Sequence, residues 1–276
     1  MLNRKELDAE KSPSAAFGLQ LRTSRDERGW TQDELAVRVG CTGSHISAVE
    51  TGRRPPTRRF AISVDRVFGT GDKFERLSRS VRYTALLEGF PEYVAHEARA
   101  AEIRLYEVGV IPGLLQTPEY GAALEADAVR REAITPEQAD ERVELLAKRQ
   151  GALVRSPSPL LFVVLDEGCI RRPMGSPAVM DAQFQRLLGF AELPNTVLQV
   201  APFSMGARRP FSLPVTMLTM PDRSLMSYAE STHRGHLERE SAFVLPILAA
   251  YHQLQAEALS QAASVALINQ LRKGTP

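Results

Sequence analysis

The residues of this chain best suited to chemistry lie between Leu21 and Pro56, in the run LRTSRDERGWTQDELAVRVGCTGSHISAVETGRRPP. Ser44, His45, Ser47 and Ala48 occupy one short segment, and Arg53 and Arg54 follow at once. They suit non-covalent recognition of an anionic polymer, and two short amphipathic helices around a tight turn, with arginines directly after the second, fit the major groove of DNA.

Local capping signals must position these groups. Thr31 can cap a helix beginning near Gln32, with Glu34 three residues on as the second half of a capping box. Leu35, Ala36 and Val39 give that helix an apolar stripe, and Gly40 ends it because glycine tolerates positive φ. Thr42 then caps a second helix whose Ile46 and Val49 face the first, while Ser44, His45, Ser47 and Ala48 point elsewhere. Gly52 closes it. Glu50 is assigned to structure, because a carboxylate facing phosphate would repel it, and an arginine such as Arg22 can pair with it.

An αα-hairpin in a plain helical bundle shows the same periodicity. The joint occurrence of cap, turn glycine and arginines at fixed offsets favours DNA. From Phe17 to Phe68 there are nine arginines, no lysine and six carboxylates. The whole chain of 276 residues has a formal charge of only +1, so any positive field is local.

The spacing resembles the Cro and phage-repressor (xenobiotic-response-element) type of helix-turn-helix over about residues 17 to 70, on Leu21, Arg22, Arg25, Gly29, Thr31, Gln32, Leu35, Ala36, Gly40, Ile46, Ser47, Glu50, Gly52 and Pro55. The resemblance implies that Gln32 contacts a phosphate, that Thr42, Gly43, Ser44, Ser47 and Ala48 read base edges with His45 nearby, and that Arg53 and Arg54 lie against the backbone. Gly43 and Ala48 cannot supply bidentate amide contacts. Ser44, Ser47 and His45 must then do more, or DNA shape must contribute.

A composition of 43% hydrophobic residues leaves room for two cores, and the longest apolar runs fall well short of a membrane span. The start, MLNRKELDAEKSPS, is charged and lacks an apolar signal region, so a soluble cytoplasmic protein is expected. Cys41 and Cys169 form no CxxC pair and are expected to be reduced thiols.

The predicted organisation is an N-terminal tail at 1–16, a helix-turn-helix domain at 17–70, a helical connector at 71–99 and an α+β domain at 100–276. After Pro55 and Pro56, a helix from Arg58 to Phe68 should bury Phe60, Ile62, Val64, Val67 and Phe68. The connector carries Phe74, Leu77, Val81, Leu86 and Leu87 and breaks at Gly89 to Pro91. Farther on, Glu137–Val154 and Ser176–Leu193 read as helices, the run LLFVVLDEG after Pro159, ending at Leu165-Asp166-Glu167, as a strand buried on both faces, and Thr196–Ala201, Ser212–Met220 and Ser224–Glu230 as strands. His236–Leu259 and Ala262–Leu271 read as closing helices. The fold class is α+β multidomain: an all-α helix-turn-helix bundle, then an α+β domain with a small, mostly antiparallel sheet.

The series IPGLLQT from Ile111, then Leu165-Asp166-Glu167, Pro202, Pro221-Asp222 and Tyr228-Ala229-Glu230 resembles the WhiJ-type regulators of actinomycetes over almost the entire chain. That resemblance implies a transcriptional regulator, often encoded near a small partner protein that modulates it in an antitoxin-like arrangement, and brings no catalytic residues.

Other chemistry finds little support. His233, His236 and Glu240 have a spacing that can place three metal ligands on one helix face, but His233 precedes the predicted helix. Asp166 and Glu167 are adjacent on a strand end and point to opposite faces. No GxSxG, P-loop or GxGxxG occurs, so no enzyme, cofactor or metal is expected. Leu114, Leu115, Tyr120, Phe162, Phe190 and Met217 could line a small-molecule pocket or simply fill a core. Phe243, Leu245, Leu248, Tyr251 and Leu254 could pack inside or form a dimer seam. The expected partners are double-stranded DNA, a second copy of the chain, and a small regulatory protein or small-molecule effector. The alternative is a protein-interaction or antitoxin-like module.

Overall fold

The computed structural model describes residues 13–85, 89–231 and 234–274, and the chain divides into two compact units between Leu86 and Leu87. Those two leucines, most of the expected N-terminal tail and His233 lie outside the described residues.

The first unit holds α1 (Pro13–Asp26), α2 (Gln32–Val39), α3 (Gly43–Glu50), α4 (Arg58–Phe68) and α5 (Lys73–Ala85). Its helix ends follow the capping residues. The Glu34 backbone N–H donates to Thr31 Oγ1 at 3.2 Å while Glu34 Oε2 accepts from the Thr31 backbone at 2.7 Å, and Gly40 stops α2 at φ 79°. Thr42 Oγ1 accepts from the His45 backbone at 3.2 Å and opens α3.

Phe17, Leu21, Leu35, Ile46, Val49 and Val64 are fully buried together, each contributing roughly 1.5–3 kcal/mol. Gly18 permits the close crossing of α1 over the end of α3, since a β-carbon there would overlap the carbonyls of Val49 and Glu50. In α4 the inward face carries Phe60, Ala61, Val64 and Phe68, with Val67 partly buried. Ile62, expected inside, is 40% exposed because it falls on the opposite side of that helix. α5 belongs to this same core through Phe74 and Val81, although it lies in the stretch expected to connect two domains. Buried Asp65 fixes its start, accepting from the backbones of Phe74 at 2.9 Å and Glu75 at 2.8 Å.

The second unit runs α6 (Phe90–Glu97), β1 (Glu102–Glu107), α7 (Pro118–Arg130), α8 (Pro136–Gly151), β2 (Leu160–Asp166), α9 (Glu167–Arg171), α10 (Pro177–Ala191), β3 (Thr196–Ala201), β4 (Val215–Thr219), β5 (Leu225–Glu230), β6 (Gly235–Glu238), α11 (Ser241–Glu257) and α12 (Gln261–Arg272). The sheet order is β3-β2-β1-β4-β5-β6. β1, β2 and β3 pair in parallel, and β1–β4, β4–β5 and β5–β6 are antiparallel, so the sheet is mixed. With both units described, the molecule is a helical bundle followed by an α+β domain.

Alternation along each strand feeds two apolar layers. Ile103, Leu105, Leu161, Val163 and Leu198 face a layer covered by helices including α10 and α12, whereas Tyr106, Val164 and Met217 face α11. Tyr251 ties α11 down by donating to the carbonyls of Leu105 at 3.1 Å and Phe162 at 2.9 Å.

Two strands depart from the sequence reading. β1 stands in the interior of the sheet, where Arg104 is neutralised by Glu102 at 2.6 Å and lies 5.0 Å over the Phe162 ring. β6 takes residues 235–238 from the predicted helix at His236, which delays α11 to Ser241.

Candidate nucleic-acid interface

α2, its glycine turn and α3 form a helix-turn-helix whose inner face is closed by Leu35, Ala36, Ile46 and Val49. On α3, Thr42 and Ser44 are exposed, while Gly43, His45, Ser47 and Ala48 are half-buried. His45 leans its ring on Phe60 with centroids 5.0 Å apart, so α4 sets its direction. The exposed Arg53 and Arg54 are anchored to the last turn of α3, because the backbone N–H groups of both donate to the Ala48 carbonyl, at 2.9 and 3.1 Å. Arg53 Nε also donates to Thr51 Oγ1 at 3.0 Å.

Glu50 is fully buried and acts as the hub of this arrangement. Arg25 is its main partner, with Nε 2.6 Å from Oε1 and Nη2 3.1 Å from Oε2, and the expected Arg22 stands off at 3.8 Å. The bond to Glu50 raises the Arg25 guanidinium above its usual range. Gln32 Nε2 donates to Glu50 Oε2 at 2.8 Å, so this amide braces α2 against α3. Its second amide hydrogen is the one that remains for a phosphate.

Several arginines that enrich the segment have structural partners. Arg38 lies 4.3 Å over the Trp30 ring, and Arg28 lies 4.6 Å over Phe68 and donates to its carbonyl at 2.6 Å. Arg58 pairs with Glu75 at 3.4 Å. Arg59, beside it in the first turn of α4, is exposed and forms no ion pair among the described residues. Sequence reasoning passed over it; its only signal was a basic residue one turn beyond Arg53 and Arg54.

In the second unit the six residues considered for a pocket divide between the two apolar layers. Leu114, Leu115 and Tyr120 are buried on one side with Phe190 packed against them, whereas Phe162 and Met217 belong to the layer under α11. Phe162 and Met217 part from the other four because successive strand residues face opposite ways. Asp166 and Glu167 tie down the segment after β3: Asp166 Oδ2 accepts from Arg209 at 2.7 Å and Glu167 Oε2 from the Phe203 backbone at 2.7 Å.

His236 stands on β6 and Glu240 precedes α11, so the two share no helix face. Among the described residues no group of three metal-ligating side chains is formed. Cys41 and Cys169 are free thiols, both raised by burial. Burial, then the neighbouring Glu230 carboxylate, pushes the Glu107 carboxyl up to about 8.

A family model described as a domain of unknown function (DUF5753) matches residues 90–270, and one described as a helix-turn-helix domain matches residues 16–77. The chain belongs to the DUF5753 family. In this DUF5753 protein the amino-terminal unit is a helix-turn-helix domain, which makes the chain a DNA-binding regulator. No curated protein and no solved structure matches it. Among the described residues, no helix of the DUF5753 protein is long and apolar enough to cross a membrane.

Proposed function

We propose that this DUF5753 protein is a sequence-specific transcriptional repressor. α3 enters the major groove, Thr42, Ser44, Ser47 and Ala48 meet base edges with Gly43 and His45 beside them, and Arg53, Arg54 and Gln32 hold phosphates. The observation that carries this reading is the fixed relation between the exposed start of α3 and two arginines clamped to its last turn through the Ala48 carbonyl. Phosphate contacts set orientation and base contacts set sequence, and here both kinds of group share one short rigid element.

One eight-residue helix offers little contact area, so the chain binds as a homodimer on half-sites about one helical turn, roughly 34 Å, apart. Its resemblance to Cro-type repressors and WhiJ-type regulators supports this reading. The α+β unit receives the signal, from a small partner protein in an antitoxin-like arrangement or from a small-molecule effector. Phe243 and Leu245, 58% and 52% exposed on α11, favour a protein contact on this unit.

Genome-wide mapping of bound DNA, with and without any small protein encoded beside this chain, tests the whole reading. A pseudo-palindromic motif whose occupancy changes with the partner is the expected result. Retention of the partner through the α+β unit with no sequence-specific DNA bound would favour an interaction module instead.

A further inference from the structure

We propose that Asp33, carried by the first turn of α2, reads a cytosine in the operator alongside the residues of α3. The proposal rests on α3 being the groove helix.

Gly43 opens α3, and a β-carbon built there would overlap the Asp33 carboxylate. Asp33 Oδ1 therefore fills the volume that a side chain at position 43 would take. A helix whose first residue has no side chain receives a polar group from the helix before it.

That carboxylate has no structural task. The capping box of α2 uses Glu34, and the α3 cap is the Thr42 hydroxyl. Asp33 is exposed and forms no hydrogen bond or ion pair among the described residues. Its place beside the first residue of α3 is electrostatically acceptable, because helix amino ends carry partial positive charge.

An ionised carboxylate only accepts hydrogen bonds, so it selects a donor on the base edge. The major groove offers two, the amino groups of cytosine and adenine. Adenine N6 stands next to N7, an acceptor that repels a carboxylate, whereas the cytosine amino group has no acceptor beside it on its own base. Cytosine is thus the favoured partner.

The test is selection of bound duplexes from a randomised pool by the full chain and by Asp33→Ala, Asp33→Asn and Gly43→Ala, with circular dichroism confirming that each is folded. Wild type should select cytosine at one position of each half-site. Asp33→Ala should lose that preference alone, leaving cytosine no better than the other bases at that position. Asp33→Asn should move it toward adenine, whose N6 and N7 suit an amide. Gly43→Ala, by displacing the carboxylate, should behave like Asp33→Ala.

An unchanged preference in Asp33→Asn, which keeps the size of the side chain, overturns the assignment and leaves the α3 reading standing. A uniform gain in affinity for all duplexes in Asp33→Ala, the signature of simple repulsion from phosphate, also overturns it. A wild-type chain that selects no sequence overturns both.

Discussion

Arg25 grips both carboxylate oxygens of Glu50 and so joins α1 to the last residue of α3. Gln32 adds α2 to the same carboxylate, and one fully buried acid therefore sets the relation of three helices.

Removing Glu50 takes the bidentate partner from Arg25 and leaves it the contact with Asp26 at 2.7 Å, and loss of such charged hydrogen bonds costs about 1–3 kcal/mol. Glu50→Ala should lower the urea midpoint of the first unit by a corresponding amount. Trp30, the single tryptophan, stacks on Phe68 at 5.8 Å, so its fluorescence follows that unit alone. An unshifted midpoint would show the pair to be ornamental.

Gly18→Ala places a methyl against the Val49 and Glu50 carbonyls, which cannot move without distorting α3. The expected loss is about 1–3 kcal/mol, as for other overpacked sites. The same fluorescence transition measures it, and DNA affinity should fall with it.

Arg53→Ala with Arg54→Ala should weaken binding to every duplex alike and reduce the slope of log affinity against log salt by about 2, from roughly 0.9 per phosphate lost. Ser44→Ala should instead change the ranking of operator variants at little change in slope. Titration at several salt concentrations separates the two effects, and an unchanged slope in the double variant would remove the arginines from the interface.

The Glu107 carboxyl sits at about 8 in the folded chain against an ordinary 4.5, so folding favours its protonated form. Its stabilising effect is complete below about 4.5 and is lost as the pH rises through 8. Glu107→Gln should match wild type near pH 4.5 and exceed it at pH 8.5, with a flatter profile of thermal midpoint between, followed by circular dichroism. Parallel profiles would count against a buried, proton-holding carboxyl.

The bounds of α2 and α3 were legible because each rests on a cap within three residues of its start. Thr31, Gly40 and Thr42 act locally and need no distant partner. β1 was missed although Ile103 and Leu105 alternate with charged residues, because Arg104 in an interior strand is acceptable only once Glu102 and the Phe162 ring are beside it. β6 has only four residues and draws its definition from pairing with β5. The pocket candidates divide between the two layers for a related reason, since the face taken by Phe162 or Met217 depends on strand register. Glu50 was correctly assigned to structure, but the choice of Arg25 over Arg22 depends on how α1 crosses α3 at Gly18.

The Phe74 ring meets Phe17 edge-on at 5.5 Å and lies 5.6 Å from Phe68. Anyone transplanting the DNA reader into a chimera must therefore carry the polypeptide through residue 85, because a cut at residue 70 would strip those rings of their cover and leave a sticky, loosely ordered peptide.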